Sequence, residues 1–346
     1  MVALFALTVG VPGAIVAQTT ISARGASLVV GGRLHSQYYV SSVDGANADF
    51  FTRRARLIVD GSFTPFVSGR IQYDLAGNSP KLVDAYARLN FSSAFRVSFG
   101  QFKRAFDLFE LSSSTDLSVF ERTGQVMGYD MCTGVGRLCS YSRLTEGLSY
   151  SDRDKGIKID GSSGQLTYQA TMTNGTGLSG SDENDAKSFA GRVSLAATDD
   201  VTVSANGSLH DYVDPTDSNE YAFAWGGDVQ VGSWRNGLLV QAAFVSGDNW
   251  KSLDAMNVPG AFTTAQVVIS YYAPLDGDRI IGVEPVARMS VADPDDGIMD
   301  DGGLLFTPGV MFYFLGKNKV GVNLDYYAPS MGDGVWTFRT GTFLYF

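Results

Sequence analysis

Val67-Ser68-Gly69-Arg70-Ile71-Gln72-Tyr73-Asp74 puts Ser68, Arg70, Gln72 and Asp74 on one face of an extended chain and Val67, Gly69, Ile71 and Tyr73 on the other. The period is two, the repeat of a strand, because successive side chains of extended backbone point to opposite sides. Val83 to Phe91 repeats it, with Asp84, Tyr86, Arg88 and Asn90 against Val83, Ala85, Ala87, Leu89 and Phe91. Leu166 to Thr173 does so again, with Thr167, Gln169, Thr171 and Thr173 opposite Leu166, Tyr168, Ala170 and Met172. Faces this different need an apolar environment on one side and water on the other, which a β-sandwich and a membrane barrel both provide.

Connection lengths separate the two. About 16 strands are read from the alternation, near residues 26–40, 50–63, 66–75, 82–91, 94–102, 153–161, 164–174 and 187–197, then 200–211, 220–233, 236–248, 260–274, 277–292, 302–316, 318–329 and 335–346. Links after even-numbered strands are tight, as in Thr64-Pro65, Ser92-Ser93, Ser162-Ser163, Thr198-Asp199 and Gly316-Lys317. Links after odd-numbered strands are mostly longer and rich in Gly, Asp, Asn and Ser. Short turns at one rim, long loops at the other and an even strand number predict a 16-stranded antiparallel transmembrane β-barrel, an all-β fold. Trp336, Phe338, Thr340, Thr342, Leu344 and Phe346 form an alternating stripe suited to a lipid-facing closing strand. Closure leaves no unpaired strand edge.

Composition agrees. The 346 residues are 45% hydrophobic and 18% charged, with 40 Gly, 22 Phe and 16 Tyr against two Cys and two His. Mean hydropathy near zero, without an apolar run of 18 residues or more, argues against helical membrane spans. A net charge of −10 without a basic cluster argues against a nucleic-acid partner. No His/Cys ligand set is present, so no metal or redox cofactor is expected. The acidic runs Asp182-Glu183-Asn184-Asp185 and Asp293 to Asp301 read as solvated loops. Only His35 and His210 could serve as imidazole bases, and neither sits in a recognisable Ser or Cys motif. Residues 1–18 read as part of a secretory signal peptide, which leaves 19–346 as the barrel. Cys132 and Cys139 could form a small loop disulfide outside the cytoplasm or remain two buried thiols.

Sixteen strands leave an aqueous channel rather than a filled core. Residues 103–152, after the fifth strand, are too long for a rim loop and too apolar for a solvated tail. They are expected to fold inward as a constriction, with a surface cap as the alternative. Basic residues fall on polar strand faces: Arg33 beside His35 and Gln37, Arg54 and Arg56 beside Asp60, then Arg70, Arg88 and Arg96. Confined arginines offer forked donors to phosphate or carboxylate oxygens. Balance against Asp60, Asp74 and Asp84 is the plainer reading.

Phe51-Thr52-Arg53-Arg54-Ala55-Arg56, Asp84-Ala85-Tyr86, Phe99-Gly100-Gln101-Phe102-Lys103, Ser112-Ser113-Ser114 and Phe120-Glu121-Arg122 occur in that order. Together they resemble the phosphate-selective porin O and P family. The resemblance implies a trimeric outer-membrane channel of a Gram-negative bacterium with an inward-folded third loop. It also implies a constriction fed by an arginine ladder, with Arg33, Arg53, Arg54, Asp84 and Arg122 at the matching positions. Arg53 and Arg54 are adjacent, so both can face the lumen only through a bulge or loop geometry. Ser114-Thr115-Asp116 stands where related sequences commonly carry a basic residue, which weakens the case for tight phosphate selection. The function expected is passive diffusion of small hydrophilic solutes, with preference for anions such as phosphate. The partners expected are small anionic solutes, outer-membrane lipid and lipopolysaccharide, the barrel-assembly machinery through the strand ending Phe346, and further copies in a homotrimer. A non-selective porin and a non-conducting adhesive barrel are the alternatives.

Overall fold

Glu284, Arg288 and Ser290 are buried on one strand while the residues that follow each of them, Pro285, Met289 and Val291, are exposed. That inside-out polarity, polar inward and apolar outward, is what a wall between lipid and a wet lumen requires. The computed structural model describes residues 19–23, 25–178, 180–182 and 184–346; the expected signal segment 1–18 lies outside them.

The strands are β1 (Thr19–Ala23), β2 (Ala26–Ser41), β3 (Asp49–Ser62), β4 (Val67–Asp74), β5 (Lys81–Ser92), β6 (Phe95–Lys103), β7 (Arg153–Ser163), β8 (Leu166–Thr173) and β9 (Ser188–Ala196). They continue as β10 (Val201–Val213), β11 (Asn219–Ser233), β12 (Asn236–Leu253), β13 (Pro259–Pro274), β14 (Gly282–Asp293), β15 (Gly303–Tyr313), β16 (Lys319–Pro329) and β17 (Val335–Tyr345). From β2 onward each strand pairs antiparallel with the next, and β17 returns to β2 with Thr337 opposite Ser41 and Tyr345 opposite Arg33. Sixteen strands therefore form a closed barrel. Phe346 continues the seam by exchanging two backbone hydrogen bonds with Gly32. Glycine suits position 32, since a Cβ would lie 2.7 Å from the Arg56 carbonyl oxygen as well as against the Phe346 ring.

Three features depart from the sequence reading. β1 adds a short hairpin to β2, with Thr19 opposite Val30, beyond the point where β17 stops. The strand expected from residue 277 starts at Gly282, because Asp276-Gly277-Asp278-Arg279 belongs to a polar turn rather than to the alternating wall. The long connection contains two short helices, α1 (Leu108–Leu111) and α2 (Tyr141–Gly147).

That connection, residues 104–152, packs on the buried faces of the strands. Phe106, Phe109, Tyr141, Leu144, Leu148 and Tyr150 are enclosed among Ala222, Ala224, Val245, Phe262, Leu305 and Tyr327. Alanines on this part of the wall leave room for the aromatic rings. Burying a Phe or Leu side chain contributes roughly 1.5–3 kcal/mol, which keeps so apolar a segment out of water. Polar anchors fix its height: Arg288 donates to the carbonyls of Glu121 (2.7 Å) and Arg122 (2.8 Å) and pairs with Asp325 at 2.8 Å. Lys319 donates to the carbonyl of Leu117 at 2.6 Å. Cys132 and Cys139 are joined in a disulfide.

Candidate functional site

With one half of the lumen filled, the open passage runs along β2 to β8. Two cavities occupy it. One, of about 290 Å³, lies toward the short turns and reaches Arg33, Tyr86, Arg88 and Lys158. The other, of about 240 Å³, lies toward the long loops and reaches Asp74, Lys81, Glu146 and Asp152. Both are lined by Arg54, Arg56, Arg122 and Arg153, which mark the neck between them.

Two β-bulges set this neck. In β3, His35 pairs with Arg54 and Ser36 with Thr52, so Arg53 is the extra residue. A bulge turns a side chain that would otherwise face outward. Arg53 and Arg54 consequently both reach Glu121, at 2.8 Å and 3.6 Å. In β5, Gln72 pairs with Asp84 and Tyr73 with Leu82, leaving Val83 as the extra residue. The Gln101 amide donates to the carbonyls of Leu82 (2.6 Å) and Val83 (3.0 Å) and so holds that bulge. Neighbouring Gly100 has φ +129°, and a Cβ there would lie 2.2 Å from the Ala85 carbonyl oxygen. Asp84 then accepts from Arg153 at 2.8 Å.

The segment supplies the opposing groups. Asp107 caps α1 by accepting from the Phe109 backbone N–H at 2.9 Å, and burial raises its pKa to about 6. The helix presents Glu110 to Arg122 at 2.6 Å, Lys103 at 3.4 Å and Arg153 at 3.7 Å. Burial alone would raise the Glu110 pKa, but these cations outweigh it and hold the carboxyl below its usual range. Glu146, 3.7 Å from Arg122, is pushed well up by burial and by the Glu110 charge. Glu121 is held low by Arg53 and Arg54 against its burial.

The residues singled out in the sequence divide by position. Arg53, Arg54, Asp84 and Arg122 gather at the neck, and Arg33 donates to the Ser114 hydroxyl on its turn side. Arg56 lines both cavities while pairing with Asp74 at 2.7 Å. Arg70 lines the turn-side cavity and pairs with Asp60 at 2.6 Å. Arg88 lies with its guanidinium 5.3 Å from the Tyr86 ring centroid and 3.5 Å from Asp160. Arg96 pairs with Asp160 nearer the turns and lines neither cavity. Asp116 does not enter the passage; it faces Lys317 at 3.5 Å.

Sequence reasoning gave no site role to Lys103, Glu110, Glu121, Arg153 or Lys158, although Lys103 and Glu121 lie within the motifs that carry the family resemblance. Lys158 was within reach, since it alternates with Ile157 and Ile159 on an expected strand. Glu110 and Glu121 lie where no strand period operates.

His210 Nδ1 lies 3.2 Å from Ser188 Oγ, the distance a hydrolase would use. The pair is sealed beneath Tyr150 and Trp250, outside both cavities. Asp211 accepts from Ser188 instead of orienting the imidazole, and Arg104 faces the same ring nitrogen at 3.5 Å. The arrangement holds Arg104, not a reacting group. His35 packs edge-on against Phe343 and Tyr345.

The sequence profile described as phosphate-selective porin O and P matches residues 29–266. No curated protein matches the sequence. Among solved structures, OmpF of Salmonella typhi in complex with daunomycin is similar, with TM-score 0.63 and 14% identity over 95% of this chain and 100% of that one. The anion-selective porin of Comamonas acidovorans gives TM-score 0.63 at 11% identity, covering 93% of this chain and 100% of that one. A loop-deletion mutant of OmpT, an outer-membrane protein of Vibrio cholerae, gives TM-score 0.63 at 13% identity over 93% and 100% of the two chains.

Proposed function

This chain belongs to the phosphate-selective porin O and P family of Gram-negative outer-membrane channels, and on that premise we propose that it passes small hydrophilic anions, phosphate or similar, by diffusion. The observation that carries the reading is the neck: both chambers meet at Arg54, Arg56, Arg122 and Arg153. An ion crossing between them passes four guanidiniums whose forked donors suit phosphate and carboxylate oxygens. Glu110, Glu121, Asp74 and Asp84 offset part of that charge. Partial compensation suits transport, because a site must recruit an ion and still release it. Lowering the bulk field is not needed, since a local cluster inside low-dielectric walls focuses its own potential. The chain is read as a homotrimer, the form in which OmpT of Vibrio cholerae was solved.

The test is the reversal potential of refolded protein in a planar bilayer under a KCl gradient, before and after adding phosphate. Chloride preference with phosphate block is expected. Arg53→Ala with Arg54→Ala should insert normally and reduce the anion-to-cation permeability ratio by roughly tenfold. Cation preference without block would mean a general porin in which Arg56–Asp74 and Arg70–Asp60 are ordinary wall pairs. Folded protein that does not conduct would indicate an adhesive barrel.

A further inference from the structure

The two chambers differ in charge. Nine Lys or Arg side chains line the turn-side chamber against one carboxylate, Asp84. Six line the loop-side chamber against five acidic side chains, Asp74, Glu110, Glu121, Glu146 and Asp152, so that even with Glu146 protonated the excess is two there against eight on the turn side. Pairing with groups outside the lining does not erase the difference. Asp60 and Asp160 offset Arg70 and part of Arg88, but Arg33 and Lys158 have no carboxylate within ion-pair distance among the described residues.

We infer that the passage is electrostatically one-sided: the turn-side chamber keeps a large positive excess that includes Arg33 and Lys158, the loop-side chamber is close to charge balance, and the pore therefore rectifies ionic current. This rests on the anion-channel reading given above. The positively charged section carries current almost entirely as anions, whereas the balanced section carries both signs. When anions are driven from the turn side toward the loops, cations arriving from the other side cannot enter the charged section. Both ions then accumulate at the neck and conductance rises. The opposite polarity depletes the neck and conductance falls. In an outer-membrane barrel the short turns face the periplasm, so the larger current corresponds to anions moving outward.

Single channels in a planar bilayer test this with equal voltages of both signs. In about 0.1 M KCl, where the Debye length is ~10 Å, the ratio of the two currents should be at least about twofold. In about 1 M KCl, with a Debye length of ~3 Å, it should fall toward unity. Orientation is assigned with Lys81→Cys, exposed on the loop side, by its reaction with a membrane-impermeant thiol reagent. Arg33→Gln with Lys158→Gln should bring the low-salt ratio to near parity, and Lys81→Glu should increase it. An anion-selective reversal potential with a linear low-salt current overturns the inference and leaves the proposed function standing. Rectification that survives Arg33→Gln with Lys158→Gln overturns the assignment to the turn-side chamber. A cation-selective reversal potential overturns both readings.

Discussion

The Arg122 guanidinium and the Glu110 carboxylate, 12 positions apart in one segment, meet at 2.6 Å at the neck of the passage. Their pairing explains how a connection without strand pairing can present a charge at a fixed height. Arg122 also donates to the carbonyls of Phe109 (2.5 Å) and Ser112 (2.9 Å), so its head group ties α1 to the Phe120-Glu121-Arg122 turn. Arg288 then ties that turn to the wall through the Glu121 and Arg122 carbonyls. The passage is thus bounded by wall arginines on one side and by a self-braced loop arginine on the other.

Glu110→Gln should loosen this brace. It removes the counter-charge of Lys103, Arg122 and Arg153, and breaking a buried pair costs up to about 3–5 kcal/mol. Hydrogen exchange across residues 108–122 should speed up, while the reversal potential moves toward stronger anion preference. Exchange and selectivity both unchanged would show that Glu110 does not position Arg122.

Selectivity should depend on pH with a defined sign. Burial and the neighbouring Glu110 raise the Glu146 pKa well above its ordinary value, so Glu146 loses its proton at a higher pH than a free carboxylic acid does. As pH rises it ionises beside Arg122, and anion preference should weaken; Glu146→Gln should flatten that alkaline limb. Glu110 behaves oppositely, because its cations hold its pKa below the unfolded value of ~4.3. Its contribution to loop docking is complete above that value and is lost as pH falls through the folded pKa. Reversal potential and hydrogen exchange measured across pH separate the two limbs.

Gly100→Ala should reduce the folded yield. Its backbone lies in a region that side chains rarely adopt, and the new Cβ would meet the Ala85 carbonyl oxygen at 2.2 Å. Strain of this kind costs about 1–3 kcal/mol. The shift in gel mobility between folded and heated barrel measures the loss, and a normal yield would show that β5 and β6 can separate locally without penalty.

Cys132→Ser with Cys139→Ser should act locally. The bridge closes a loop with a sequence separation of 7, worth about 2–3 kcal/mol on the chain-entropy account. Neither cysteine lines the two cavities. Proteolysis near residues 128–139 should therefore accelerate while the reversal potential stays constant. A changed potential would mean that this hairpin steers the neck.

What the sequence by itself determined is the wall. Val67 to Asp74 and its repeats state which side of each strand meets lipid, and alternating connection lengths state which rim carries turns. Both signals are local, because a period of two needs only neighbouring residues. The same locality made the arginines visible as inward-facing residues, and their order with Asp84-Ala85-Tyr86 and Phe120-Glu121-Arg122 made the family legible. Only the tertiary structure decided which of them work together. Glu121 meets Arg53 across 68 positions, and Arg33 meets Ser114 across 81. The bulge at Arg53 depends on register against β2, and the heights of Arg122 and Glu110 depend on Arg288, 166 positions from Arg122. Partner choice in a closed barrel is set by how an aperiodic segment fills the space its wall encloses, and no spacing along the chain encodes that volume.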